Sequence, residues 1–330
     1  MRKIKVAIVD TGFDTKCEYL SNVKTEGFGI RWEDGLVITK NYDDYNGHGT
    51  ACASVIYREC NEVELFVVNA MGKVGKANSL IIEHVLKILQ KKDVDIINMS
   101  FAMPQVLDNE IYNLCEELKK ENKILVAADS NIKNKKGFPA CFNNVYGVQG
   151  KELEYGKIFE YDMSKEIQCL VNNIPMMCAD LYDRFQLLQP NNSIATAKFT
   201  GILCDIIYHN NIKRKDYGKI PDILCLYKTK RNEKVKRYQV CNEWYVSNDN
   251  ALLRKIYELL HTKVNLYKPS DLLCDFELLS SRGSVKFDMA YQILSYLSLQ
   301  LNIQIDYMEI SRYDLITLGT LTKMFERYAR

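Results

Sequence analysis

The sequence predicts an α/β protein, a mainly parallel sheet covered by helices on both faces, followed by a smaller all-α bundle. Three observations carry this. Over the first two thirds, short near-continuous apolar runs alternate with segments of helical spacing, the pattern of strands buried on both faces. Beyond residue 250 the apolar residues fall three and four apart and the strand-like runs stop. Between the two lies a basic stretch, residues 213–237, with ten Lys or Arg against three Asp or Glu. The expected domains are therefore 1–212, a linker or hairpin over 213–249, and 250–330.

Residues 5–10 read as the first strand, closed by Asp10 and the turn Thr11-Gly12. A helix follows over 48–60, then a strand over 63–70. A second helix over 77–92 carries Leu80, Ile81, Val85, Leu86 and Leu89 at helical spacing. A strand at 95–101, a helix at 107–122 and strands at 123–129 and 144–148 come next. Ser193 opens a long helix of small and apolar residues that runs to His209. Within the basic stretch, residues 223–227 (ILCLY) read as a strand pairing with 238–246 in a solvated hairpin. The last third shows helices through Leu253, Ile256 and Leu260, then Ile293, Leu294 and Leu297, then Leu318, Leu321, Met324 and Phe325.

Composition narrows the function classes. The chain has 330 residues, 47% of them hydrophobic, and a net charge of +2. That charge argues for no polyanionic partner, so no nucleic acid is expected. Its 11 cysteines form no CxxC pair and are odd in number, which fits reduced, buried thiols in a reducing compartment. The residues ahead of Asp10 are too few and too soon interrupted for a signal sequence, and no run of about 18 apolar residues exists to span a bilayer. A cytoplasmic location without a membrane partner is the expectation.

Three stretches carry chemistry. Asp10 ends the first strand. His48 sits between two glycines in Asn46-Gly47-His48-Gly49-Thr50, at the start of the first helix. Ser193 starts the long helix in Asn191-Asn192-Ser193-Ile194-Ala195-Thr196-Ala197. A serine hydroxyl needs a base within hydrogen-bond reach, and an imidazole needs a carboxylate to fix its tautomer. The other three histidines, His84, His209 and His261, lie in helical patterns and read as structural.

Asp, His and Ser in that chain order, each ending or opening an element, resemble the subtilisin-like serine proteases (subtilases, peptidase family S8). The resemblance covers about residues 1 to 210 and implies a three-layer subtilisin-like fold. It implies a triad of Asp10, His48 and Ser193, with Asn131 of Ala127-Ala128-Asp129-Ser130-Asn131 donating to the oxyanion. The equivalent side chain of subtilisin is worth roughly 2.7–4 kcal/mol. The strand Asp95 to Phe101 resembles the family's strand that flanks the cleft, so Ser100, Phe101 and Ala102 are expected substrate-binding positions, and Gly75 and Gly137 join them. The loop Ile132-Lys133-Asn134-Lys135-Lys136 is similar to the border of the pocket ahead of the scissile bond, where lysines favour acidic or small polar side chains.

The departures matter as much. The serine motif of the family usually reads Gly-Thr-Ser-Met-Ala-x-Pro, so Asn191 and Asn192 replace Gly-Thr, and Ala197 stands where the proline is expected two residues beyond Ala195. Ser130 and Ala102 each replace a glycine. The calcium loop of secreted relatives looks missing, with no Asp/Asn cluster in its place, so neither metal nor cofactor is expected. Nothing ahead of Asp10 resembles a propeptide, which points to narrow specificity. The end of the chain resembles an acyl or peptidyl carrier protein, with Ser284 as the nearest candidate for a prosthetic group and a docking role favoured. The resulting expectation is a cytoplasmic serine endopeptidase for one dedicated peptide or protein, such as the precursor of a ribosomally made modified peptide. A regulatory or turnover subtilase, and a pseudoprotease that only binds peptides, are the alternatives.

Overall fold

In the computed structural model, residues 2–105, 109–154, 156–227, 245–264, 273–279 and 285–329 are described. The chain folds as two compact units. The first takes residues Met1–Asn173, Ala179–Asp183 and Pro190–Lys230, and the second takes Ile174–Cys178, Arg184–Gln189 and Arg231–Arg330.

The first unit is built on a nine-stranded sheet. Its strands are β1 (Ile4–Asp10), β2 (Thr25–Trp32), β3 (Leu36–Thr39), β4 (Val63–Asn69), β5 (Ile96–Met99), β6 (Ile124–Ala128), β7 (Tyr146–Lys151), β8 (Phe159–Tyr161) and β9 (Cys169–Asn172). Their order is β3-β2-β4-β1-β5-β6-β7-β9-β8. Neighbours run parallel except at the two edges, where β3 and β8 pair antiparallel with β2 and β9. β1 lies in the interior because Val6, Ala7, Ile8 and Val9 have no solvent-facing side, as an apolar run without alternation requires. Its parallel register with β5 (Ile8 beside Asn98), and that of β5 with β6, brings the carboxyl ends of three strands to one edge. Asp10, Ser100 and Asn131 follow from those three ends.

Helices cover both faces. α1 (His48–Glu59) and α4 (Asn192–His209) pack together on one, and α2 (Ser79–Gln90) packs with α3 (Glu110–Lys120) on the other. The approach of α1 to α4 needs glycine at 201. A Cβ there would stand 2.6 Å from Glu59 Cβ and 2.8 Å from Ile56 O. α4 is buried on almost every side, so its small residues Ala195, Ala197 and Gly201 let it sink between α1 and the sheet.

Two sequence expectations are corrected here. Residues 223–227 are not a strand, since α5 (Ile220–Tyr227) is helical. The basic stretch also does not begin a separate linker at 213, because residues 214–227 belong to the first unit. The reason is a buried carboxylate. Asp95 accepts from Arg2 (2.6 and 2.7 Å), the Lys5 N–H (2.9 Å), Arg214 Nε (2.9 Å) and the Tyr217 hydroxyl (3.1 Å). Sequence pattern counted Arg214 as one charge among ten, whereas here it is spent on a specific partner. The hairpin partner at 238–246 lies largely outside the described residues.

The second unit is described by itself. α6 (Ala251–Val264), α7 (Ala290–Leu301) and α8 (Leu318–Tyr328) enclose a core of Leu253, Ile256, Leu260, Ile293, Leu294, Leu297, Leu318, Leu321, Met324 and Phe325. These are the residues whose spacing predicted helices. The unit also takes in chain from the middle of the sequence, which spacing did not predict. β10 (Arg184–Leu187) contributes Leu187 to the core, and Phe185 stacks on Tyr307 at 4.7 Å. Ser284 lies outside the described residues. Among the described residues no helix is long and apolar enough to cross a membrane.

Burial alone would raise the pKa of Asp95, but the hydrogen bonds from Arg2, Lys5 and Arg214 outweigh it and hold the group below the usual carboxylate range. Its neighbour Asp93, bonded by Lys5 and Arg214, is held at about 2. Depressed carboxylates stabilise the fold above their unfolded pKa, and that stabilisation is lost as pH falls through the folded values. Asp95→Asn is expected to cost about 3–5 kcal/mol, toward the lower end because Arg2 is half exposed. Its denaturant midpoint should also depend less on pH below about 4 than the parent's. A midpoint equal to the parent's would show that the cluster is dispensable.

Candidate active site

The site starts from the turn that ends β1. Gly12 adopts φ +124°, and a Cβ there would lie 2.5 Å from Asp43 O, so only glycine fits. Gly49, next to His48, is equally constrained, since its Cβ would stand 2.2 Å from Gly12 O. The loop after β1 and the first turn of α1 therefore touch backbone to backbone. Gly47 enters α1 at φ +97°, which aims His48 back at the strand end. His48 Nδ1 meets Asp10 Oδ1 at 2.7 Å, and the same oxygen accepts the Thr11 N–H at 2.8 Å. Asp10 is fully buried.

The charge of Asp10 raises the pKa of His48 well above the ordinary imidazole value, against an opposing effect of burial. Cys52, one turn along α1, places its sulfur 3.9 Å from His48 Nδ1. Burial pushes that thiol up, so it stays protonated beside the imidazole. Asp10, His48 and Cys52 are the one metal-sized group of donors among the described residues. Asp10 Oδ1 is engaged by His48 and the Thr11 N–H, while Oδ2 is buried without a hydrogen-bond partner among the described residues.

Ser193 lies in the first turn of α4. Asn191 caps that helix, its side chain accepting from the Ile194 N–H at 2.8 Å in an extended conformation (φ −150°) open to any residue. Ser193 O accepts from Ser100 Oγ at 3.1 Å, and Ser100 Oγ accepts from Asn98 Nδ2 at 2.9 Å. His48 and Ser193 line one cleft of about 460 Å³, together with Ser100, Phe101, Ala102 and Gly75. Asn131 is exposed and does not line this cleft, and its side-chain oxygen accepts from the N–H of Asn192, the residue before Ser193, at 2.8 Å.

The remaining expectations sort as follows. Gly137 does not line this cleft. It is buried because a Cβ would meet Ser130 N at 2.5 Å and Ala102 Cβ at 2.9 Å. The lysine loop does not line it either, and Lys136 is ion-paired with Glu166. His84 bonds to Leu80 O, His209 pairs with Asp205, and His261 stacks on Tyr257. Sequence reasoning missed Asp44, Asn192 and the wall made by Met71, Val74 and Lys76. An Asp three residues before a helix N-cap is a turn-and-cap signal, so Asp44 was readable. The 71–77 wall carries no such signal.

Residues 1–223 match the Subtilase family, peptidase S8. The chain belongs to the subtilase family. This subtilase is 30% identical over 162 residues to the human membrane-bound transcription factor site-1 protease, covering 46% of the chain and 14% of that protein. It is 29% identical over 168 residues to the intracellular serine protease of Paenibacillus polymyxa and 28% over 165 to the major intracellular serine protease of Bacillus subtilis. Those matches span 49% and 50% of the bacterial proteins. Among solved structures, the prenylagaramide maturation protease PagA shares the fold with a TM-score of 0.56 and 18% identity, over 71% of this chain and 86% of that one.

The histidine of this subtilase is expected to titrate above the ordinary imidazole range near 6.5 in an NMR pH series, because the buried Asp10 charge favours the imidazolium. Asp10→Asn removes that charge and should bring the His48 midpoint down. An unmoved midpoint would sever the link between the two residues.

Proposed function

We propose that this chain is a serine endopeptidase. The observation that carries the reading is the 2.7 Å contact of His48 with buried Asp10, in the same cleft as a serine at a helix start. Ser193 Oγ attacks the scissile carbonyl while His48 takes its proton, and the carbonyl oxygen becomes an oxyanion. Asn131 and a backbone N–H near Ser193 receive that charge. Collapse breaks the C–N bond, and the amine leaves with the proton from His48. Water then attacks the acyl-enzyme by the same route, returning the hydroxyl to Ser193. Asp10 holds the imidazole in the working tautomer throughout.

The substrate we infer is one dedicated peptide or protein, such as the precursor of a ribosomally made modified peptide. A protein of the same fold is a prenylagaramide maturation protease, a likeness that at 18% identity carries the fold alone. The second unit would then serve as a docking module, in keeping with its resemblance to carrier proteins. The bacterial relatives named as intracellular serine proteases favour a second reading, a turnover enzyme of the cytoplasm. The described cysteines agree with a reducing location, since all are thiols and all but Cys141 and Cys225 are buried.

Ser193→Ala is expected to abolish hydrolysis of an internally quenched peptide library and labelling by a fluorophosphonate, with kcat falling by about 10⁶ as in subtilisin. Because the base works neutral, kcat/KM of the parent should climb with pH through the raised His48 pKa. An unlabelled, inactive parent would leave a peptide-binding cleft without catalysis. Cleavage of one library motif supports the dedicated enzyme, and broad cleavage supports turnover.

A further inference from the structure

We propose that Asn192 is a positioning residue that builds the oxyanion side of the cleft, an inference that rests on the serine-peptidase reading above. Asn192 is buried, and its side-chain amide is fully used. Nδ2 donates to Asp129 O at 3.1 Å and to Ser130 O at 3.0 Å, and Oδ1 accepts from the Gly150 N–H at 2.9 Å. An N–H facing one end and two carbonyls facing the other leave a single orientation for that amide. The main chain of the same residue acts as well. Its N–H donates to Asn131 Oδ1, and its carbonyl accepts from Thr196 Oγ1 at 2.7 Å in the next turn of α4.

One residue thus ties the serine to the Asp129–Asn131 segment twice. The main-chain bond decides which way the Asn131 amide faces. With Oδ1 turned to Asn192, Nδ2 projects from the opposite side, and among the described residues it donates to none. The side-chain bonds fix the carbonyls of the two residues immediately before Asn131. Asn192 occupies the threonine position of the family motif, and a threonine hydroxyl offers one donor where this site uses two. Ser130 stands where the family has glycine, and Asn192 holds the carbonyl of that substituted residue. A donor preorganised this way gains its value when the oxyanion forms, so loosening it costs turnover rather than binding.

The test takes the library peptide that the parent cleaves fastest and measures kcat and KM for Asn192→Ala, Asn131→Ala and the double variant, with thermal melts of each. Asn192→Ala is expected to lower kcat about 10–100-fold with KM within about twofold, less than the roughly 10²–10³ of losing an oxyanion donor outright. Since Asn192 acts through Asn131, the double variant should be no slower than Asn131→Ala alone. Asn192→Ser, which keeps one donor, should recover part of the loss and serves in the cycle if Asn192→Ala does not fold. Multiplicative losses in the cycle, or a KM rise without a kcat loss, would overturn the proposal. A parent that neither cleaves nor takes a fluorophosphonate sinks the enzymatic reading, and with it the role of Asn192.

Discussion

Both oxygens of one buried carboxylate, Asp44, hold Asp10 and His48 in relation to each other. Oδ1 accepts from Thr11 Oγ1 at 3.0 Å, the Asn46 N–H at 2.8 Å and the Gly47 N–H at 2.9 Å. Oδ2 accepts from the N–H and the hydroxyl of Thr50 at 2.9 and 2.8 Å. Thr11 follows Asp10 directly, and Gly47 and Thr50 flank His48. A single acid therefore welds the end of β1 to the start of α1. Its charge is tolerable in a buried place because every donor it meets belongs to a turn or a helix N-terminus whose N–H groups would otherwise be unpaired. The Thr11 hydroxyl also accepts the Gly49 N–H at 2.9 Å, which closes the network. The 2.7 Å contact of Asp10 with His48 is the consequence of this frame rather than its cause.

Ser193 is held by a second polar chain. Thr200 Oγ1 donates to Asn98 Oδ1, Asn98 Nδ2 to Ser100 Oγ, and Ser100 Oγ to Ser193 O. Asn98 sits inside β5 with no exposed surface, where an unpaired amide would cost about 1–3 kcal/mol. It is stable there because α4 brings Thr200 down to it, and α4 comes so close because Gly201 lets it approach α1. The two chains meet at the buried Cys52 thiol, which contacts His48 and hydrogen-bonds Ser100. Strand ends position Asp10 and Ser100, while helix packing positions His48 and Ser193.

How much of this was legible follows from the range of the interactions. The parallel core was readable because burial on both faces leaves an unalternating apolar mark, as in Val6–Val9 or Ile96–Ile97. Asp10, His48 and Ser193 were readable because each sits at an element boundary marked by glycine or small residues. The outer strands were not: β2 and β3 are half-exposed and mixed in composition, and β8 and β9 are only three and four residues long. Arg214 and Tyr217 were misjudged because their partner, Asp95, lies more than a hundred residues earlier, beyond any local pattern. The contribution of residues 184–189 to the second unit is of the same kind: Phe185 and Leu187 find their neighbours near Tyr307 and α7, far along the chain.

The departures from the family motif form a connected set, which bears on whether the cleft has decayed. Asn191 takes an extended conformation that needs no glycine and caps α4, the task for which a helix without its usual start needs a side-chain acceptor. Asn192 anchors the segment that holds Asn131. Ser130 turns its own hydroxyl to the Ile132 N–H at 3.1 Å, stiffening the start of the lysine loop. Ala102 faces Gly137, where nothing larger than a hydrogen fits. Each of these four replacements is matched by a hydrogen bond or a complementary small residue at a different position, whereas Ala197, in place of the proline, is simply buried within α4. Unselected drift at four sites leaves unpaired donors and crowded atoms, because a buried amide without partners and an overpacked methyl each destabilise. The four replacements therefore read as a serine loop rebuilt on its own partners rather than as accumulated damage, with the Asn131 side-chain oxygen still held by the Asn192 N–H.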